Sequence, residues 1–156
     1  MAASLTIALN MAPVSPRDRD EFMIMAEKHF RELNPAFEPH ADWKAQYFDN
    51  VLNSGLFLRW IEANRNRAGF ILFGIENHRF LRRRTGGIYE LYIDPDFRRN
   101  GIARQCAAAA IRELEAHSPS KIQLEIMDGN SAAEKLWASL GFRKFSERWV
   151  LSRTKP

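Results

Sequence analysis

The run from Ile88 to His117, IYELYIDPDFRRNGIARQCAAAAIRELEAH, does most to narrow the folds open to this chain. Its first part is β-branched and aromatic and reads as a strand, which stops at Pro95 because proline cannot continue a ladder. Arg98, Arg99, Asn100 and Gly101 fill one short joint. Beyond it, Ile102, Cys106, Ala110 and Leu114 fall on a single stripe of an alanine-rich helix. KIQLEIM, short and β-branched, reads as a further strand. A strand, a covering helix and a return strand make a parallel pair, since only a crossover brings the chain back in the same direction.

The flanking segments supply the rest of a layered domain. SLTIALNM reads as a first strand. SPRDRDEFMIMAEKHFREL carries three helix-start signals, namely Ser15 as N-cap, Pro16 at the first helical position and acidic residues in the first turn, and Asn34-Pro35 ends it. ADWKAQYFDNVLN places Trp43, Tyr47 and Val51, and Ala41, Phe48 and Leu52, at helical spacings, predicting a second helix that stops near Gly55. LFLRWIEA and AGFILFGIEN, separated by NRNR, predict an antiparallel pair, and RFLRRRTGG a hairpin turn with a basic rim leading into IYELYID. SAAEKLWASL puts Ala133, Leu136, Trp137 and Leu140 on one face of a helix closed by Gly141, and RKFSERWVLSR is expected to supply at least one final strand. The order is β-α-α-β-β-β-α-β-α-β. It predicts an α/β (α+β) fold with a mixed, mostly antiparallel central sheet flanked by helices.

With 156 residues, 46% of them apolar and 27% charged, the chain is expected to form one domain over 1–156. The net charge of +4 suits an anionic partner. A nucleic-acid reader is not expected, because no recognition-helix motif or interleaving of aromatic and basic residues is present. The lone Cys106 excludes an internal disulfide framework, and His29, His40, His78 and His117 are scattered without metal-ligand spacing, so no metal is expected. MAASLTIALNM lacks the basic start of a secretory signal, and no apolar run approaches the roughly 20 residues of a membrane span. A cytoplasmic location without membrane contact is therefore expected.

A strand turning directly into a helix leaves that helix's first N–H groups without intrahelical partners, at the positive end of the macrodipole. Such an end binds anions. At the joint Gly101 permits a turn closed to other residues, Ala103 keeps the next position small, and Arg98, Arg99 and Arg104 add full charges. The chain has no G-x-x-x-x-G-K-S/T and no G-x-G-x-x-G, so neither a Walker-type nor a dinucleotide cradle is supported. What stands there is R-x-x-G-x-A, from Arg98 to Ala103.

LYIDPDFRRNGIA, followed by a helix, a strand and NSAAEKLWASLGF, resembles the GNAT superfamily of N-acetyltransferases. Those proteins carry an R/Q-x-x-G-x-G/A turn after a strand and a downstream N-x-x-A-x-x-L-Y-x-x-x-G-F, filled here by Asn130, Ala133, Leu136, Gly141 and Phe142. The likeness covers residues 86 to 145 at motif level. It implies acetyl-CoA as co-substrate, with the diphosphate on the amides from Arg99 through Asn100, Gly101, Ile102 and Ala103 to Arg104. The pantetheine arm would lie along Leu91, Tyr92 and Ile93, with Asn130 bonding its amides and Trp137 nearby. Asn130 is also expected to cap its helix.

Acetyl transfer to an amine needs a neutral amine, a polarised carbonyl and a leaving thiolate that is stabilised or protonated. The resemblance points to a backbone N–H near Leu91 or Tyr92 as the carbonyl donor. Glu90 is the one carboxylate in an apolar strand; it either takes the amine's proton, faces solvent, or pairs with an arginine. A period of two puts Glu90 and Tyr92 on one face, Tyr89 and Leu91 on the other. Where the family often has a tyrosine able to protonate the sulfur, Trp137 stands, and an indole is no practical proton source. Three outcomes are open: the thiolate leaves unassisted, Tyr92 or Ser139 supplies a proton, or the enzyme is slow. Core packing is the plainer reading of Trp137. The acceptor is expected to be a small cationic primary amine, met by Glu32, Glu38, Asp42 and Asp49 with Phe37 and Trp43 as apolar walls. A protein N-terminus or lysine is the alternative, and a non-catalytic acyl-CoA-binding module the alternative of another class. A homodimer is common among similar proteins, although no interface is specified by the sequence.

Overall fold

A computed structural model describes residues 7–153. The chain divides into two compact units, Met1–Glu125 and Ile126–Pro156.

The first unit is built on a five-stranded sheet whose spatial order is its chain order. Strand β1 (Leu9–Pro13) starts later than expected; the Ser4–Thr6 part of that expectation lies outside the described residues. β2 (Phe57–Ala63), β3 (Asn66–Asn77) and β4 (Arg84–Ile93) extend the sheet antiparallel, and β5 (Lys121–Gln123) joins β4 in parallel. Asn64 and Arg65, both with positive φ, make the tight turn between β2 and β3, because left-handed central residues match the twist of paired strands.

Helix α1 (Arg19–Leu33) follows a 3-10 turn at Pro16–Asp18, so the expected Ser15–Pro16 start opens the tighter turn rather than the α-helix. There Asp18 accepts hydrogen bonds from the Ser15 amide at 2.8 Å and the Ser15 hydroxyl at 3.0 Å, and a guanidinium bond from Arg67 at 2.8 Å. α1 and α2 (Trp43–Leu52) cover one face of the sheet around Phe22, which is fully buried against Phe70, Phe48, Trp60 and Tyr47 at centroid separations of 4.9, 5.7, 5.8 and 6.4 Å. Such ring pairs add about 0.5–1.5 kcal/mol each beyond their buried area. α3 (Ile102–Glu115) covers the other face, and its expected stripe of Ile102, Cys106, Ala110 and Leu114 is buried. Arg59 of β2 grips Glu113 of α3 with two bonds of 2.6 and 2.5 Å.

In the second unit α4 (Ser131–Ser139) has Asn130 as its N-cap, the Oδ1 accepting from the Ala133 amide at 3.1 Å. Trp137 is buried with its ring edge-on to Phe142, and Gly141 ends the helix at φ 94°. The final strand expected in RKFSERWVLSR is not formed: residues 142–153 carry no regular structure. A strand is held by its partner's ladder, and here Phe145, Trp149, Val150 and Leu151 remain exposed.

Candidate active site

The site begins where β4 loses a neighbour. β5 pairs with it only at Thr85, Gly86 and Gly87, so among the described residues β4 has a paired strand on one side only from Ile88 onward. At that point lies a β-bulge: Ile88 faces Phe73 and Glu90 faces Leu72, leaving Tyr89 without an opposite residue. The ladder fixes which backbone groups face the open edge. Asp94 N–H donates to Ala68 O of the β3 side at 2.7 Å, so by alternation Tyr92 also bonds toward β3, while the Leu91 and Ile93 groups point to the free side. Ile93 O on that side accepts from Arg98 Nε at 2.8 Å. Of the two amides expected to meet a carbonyl, Leu91 N–H is thus the one aimed outward.

The strand then enters the joint. Asp94 Oδ1 accepts from the Asp96 amide at 3.2 Å and starts a 3-10 turn at Pro95–Phe97. Two left-handed residues, Arg99 at φ 64° and Gly101 at φ 71°, turn the chain into α3, whose first helical bond is Gln105 N–H to Gly101 O at 3.1 Å. The N–H groups of Ile102 and Ala103 therefore have no acceptor within the helix. Asn100 braces the turn with bonds of 3.3 Å to Phe97 O and Arg98 O. Arg99, Asn100, Gly101 and Arg104 are exposed around it, Ile102 is buried, and Ala103 is half-buried. Open amides at a helix start with cations nearby are an arrangement that favours anions.

Arg98 is used differently from the sequence reading. Its guanidinium donates to Glu32 Oε2 of α1 at 2.7 Å and lies 5.6 Å from the centre of the Tyr92 ring, while its Nε is held by Ile93 O. The side chain ties the joint to α1 instead of standing free for an anion, and Glu32 is occupied in turn.

Glu90 and Tyr92 share the α1 face, as a period of two requires. His29 of α1 meets both, its Nε2 at 2.5 Å from Glu90 Oε2 and its ring centre 5.4 Å from that of Tyr92. The Glu90 side chain is 21% exposed, with Oε2 engaged by His29. Its neighbour is a histidine, not solvent alone or an arginine. Tyr92 is buried, and burial first, then the Asp94 and Glu32 charges, raise its phenol above the ordinary value, with Arg98 opposing. Beside this pair Tyr47, Phe30, Phe37 and Trp43 form one aromatic cluster with separations of 5.1 to 6.3 Å. The Tyr47 hydroxyl has no hydrogen-bond partner among the described residues, and its acidity is weakened first by burial and then by the charge of Glu90.

Metal-ligand spacing, the pattern by which scattered histidines are read from sequence, does not reveal His29. The available signal was its place on the core stripe of α1 with Phe22 and Ala26, where a histidine must find a buried partner. Asn130 caps α4, as expected, and Ser139 Oγ donates to Leu136 O at 2.6 Å. Among the described residues no three His, Cys, Asp or Glu side chains gather as metal ligands.

Known proteins give this geometry a context. A 61-residue stretch is 34% identical to the [ribosomal protein bS18]-alanine N-acetyltransferase of Haemophilus ducreyi, covering 39% of this chain and 42% of that relative; the chain thus spans less than half the length of this curated relative. The crystal structure of a ribosomal-protein-alanine N-acetyltransferase from Brucella melitensis biovar Abortus 2308 shares the fold with a TM-score of 0.72 at 20% identity, over 93% of this chain and 99% of the other. An aminoglycoside N-acetyltransferase solved with CoA shares it with a TM-score of 0.70 at 17% identity, over 99% of each chain. Residues 22–142, which run from α1 past the end of α4, match the Acetyltransferase (GNAT) family, and the chain belongs to that family.

Proposed function

We propose that residues 1–156 work as one cytoplasmic N-acetyltransferase domain that moves the acetyl group of acetyl-CoA to a primary amine by direct attack in a ternary complex. The observation that carries this reading is the β4 edge that loses its partner at Gly87 and runs straight into the Gly101-capped α3. A strand edge offers a row of amide donors and acceptors to the pantetheine amides, and the helix start offers donors to the diphosphate. Leu91, Tyr92 and Ile93 line the arm; Arg99, Asn100, Gly101, Ile102, Ala103 and Arg104 hold the diphosphate, and Arg98 supports them through Ile93 O; Asn130 and Trp137 are assigned to the cofactor on the family motif alone.

The amine nitrogen attacks the thioester carbon while Leu91 N–H receives charge developing on the carbonyl oxygen. The C–N bond forms, the C–S bond breaks, and the amine's proton passes to Glu90. The CoA sulfur leaves as thiolate, a form accessible without an acid because a thiol pKa is on the order of 8 to 9. Tyr92, the hydroxyl on the Glu90 face of β4, is the proposed proton donor to that sulfur.

A small cationic amine is the acceptor we favour. Glu38, Asp42 and Asp49 make no ion pair among the described residues, and Glu38 and Asp42 adjoin Phe37 and Trp43 in the chain, whose rings lie 5.1 Å apart. The 34% identity to an enzyme named for alanine acetylation of a ribosomal protein favours a protein N-terminus as the second reading.

The test is acetyl-CoA-dependent thiol release across polyamines, aminoglycosides and peptides with free N-termini. Release with cationic small amines is expected, and Glu90→Gln should lower kcat by about 10²- to 10⁴-fold. Calorimetric heat with acetyl-CoA but no release with any amine would make the chain a binding module. No heat at all would remove the reading.

A further inference from the structure

The core face of α1 carries an imidazole where packing asks only for an apolar side chain. His29 is 7% exposed, and its ring centre lies 5.4 Å from Phe30, 5.6 Å from Phe70 and 5.4 Å from Tyr92. A donor sealed among rings costs stability unless bonded. The partner it finds is Glu90, 61 residues away and next to the bulge of β4.

Three bonds join α1 to this end of β4 and the joint: Lys28 to Asp94 at 3.3 Å, His29 to Glu90 at 2.5 Å and Glu32 to Arg98 at 2.7 Å. The outer two involve exposed side chains and contribute little by themselves. The middle one is enclosed, with side-chain exposures of 9% for His29 and 21% for Glu90. Because an ionised carboxylate only accepts, Nε2 carries the hydrogen of this bond.

We infer that His29 is a positioning residue for the transfer reaction. Its Nε2–H occupies Glu90 Oε2 and fixes the carboxylate rotamer, so that Oε1 faces the attacking amine. The inference rests on the proposed role of Glu90 as proton acceptor. The proton released by the amine goes to Oε1, and His29 keeps its own throughout. The three neighbouring rings hold the imidazole plane, giving Glu90 a partner that does not rotate away as a solvated side chain would.

The experiment combines kinetics with nitrogen NMR of the histidine rings. His29→Leu keeps the apolar contacts and removes the donor; His29→Gln places an amide N–H near the position of Nε2. His29→Leu should lower kcat about 10- to 100-fold, the scale of a misplaced catalytic group. CoA affinity and the KM for acetyl-CoA should stay as in wild type, and His29→Gln should recover most of the rate. In a Glu90→Gln background His29→Leu should cost nothing further, since the two act as one unit. In the wild-type protein the His29 ring should appear protonated at Nε2, with a signal that moves in Glu90→Gln.

A wild-type rate in His29→Leu, additive effects in the double variant, or an Nε2 without a proton would each overturn the inference while leaving acetyl transfer intact. A wild-type protein that releases CoA with no amine would instead bring down the proposed function, and the role of His29 with it.

Discussion

Gly101 offers the sharpest test of the anion cradle, because its conformation and its surroundings make separate demands. At φ 71° it lies in the left-handed region, where a Cβ costs about 1–2 kcal/mol. A Cβ built there would meet only the Gln105 side-chain Nε2, at 3.8 Å, so Gly101→Ala brings strain without a clash. Alanine also reduces the freedom of the unfolded chain, which offsets about 0.4–1 kcal/mol. The net cost is then about 0.5–1 kcal/mol, a fall in Tm of roughly 1–4 °C for a chain of this size. Function should suffer more. If the strained turn relaxes, the Ile102 and Ala103 amides rotate, and losing one charge-assisted bond worth about 1.5–3 kcal/mol weakens CoA binding by roughly 10- to 100-fold. Gly101→Asn, with a side chain tolerated in this region, should keep the wild-type Tm within about 2 °C. Differential scanning calorimetry and isothermal titration with CoA measure the two quantities separately. If Gly101→Ala matches wild type in both, the left-handed turn does not organise the cradle and the reasoning fails. Gly69 is the opposite case: its Cβ would stand 1.9 Å from Tyr92 O, a backbone atom that cannot move aside, so Gly69→Ala should not fold as the native sheet.

Asp18 is held below the usual carboxylate range first by the Ser15 amide and then by Arg67, while burial opposes. A depressed native value stabilises the fold fully above the ordinary value near 3.9, and that contribution is lost as pH falls toward the depressed one. Asp18→Asn should therefore cost about 1 kcal/mol in urea melts at pH 7, and the gap to wild type should close in acid; a gap independent of pH refutes this. Burial pushes the Cys106 thiol up to about 11, so a disulfide reagent at pH 8 should label the native protein slowly and the urea-unfolded chain within minutes. Fast native labelling would show that α3 opens or packs differently. Phe22→Ala removes the ring at the centre of the aromatic core and should destabilise by about 3–5 kcal/mol, read as a fall in the urea midpoint; a loss below 1 kcal/mol would place the core elsewhere.

The stripes of α3 and α4, the cap at Asn130 and the left-handed joint at Gly101 were legible in the sequence, because each depends on sterics and spacing within a few residues. So was the common face of Glu90 and Tyr92, which follows from the strand period. Other features depended on partners far along the chain. β5 is cut to three residues, and the bulge at Tyr89 coincides with the end of its pairing, so the open edge of β4 exists only in the folded sheet. Arg98 reads as an anion ligand beside Gly101, yet Ile93 O and Glu32 claim it once α1 lies against β4. His29 and Glu90 carry no mark of kinship at a separation of 61 residues. Local preference writes itself into neighbouring letters, whereas the meeting of two buried polar groups is settled by register and packing, which no short stretch of sequence contains.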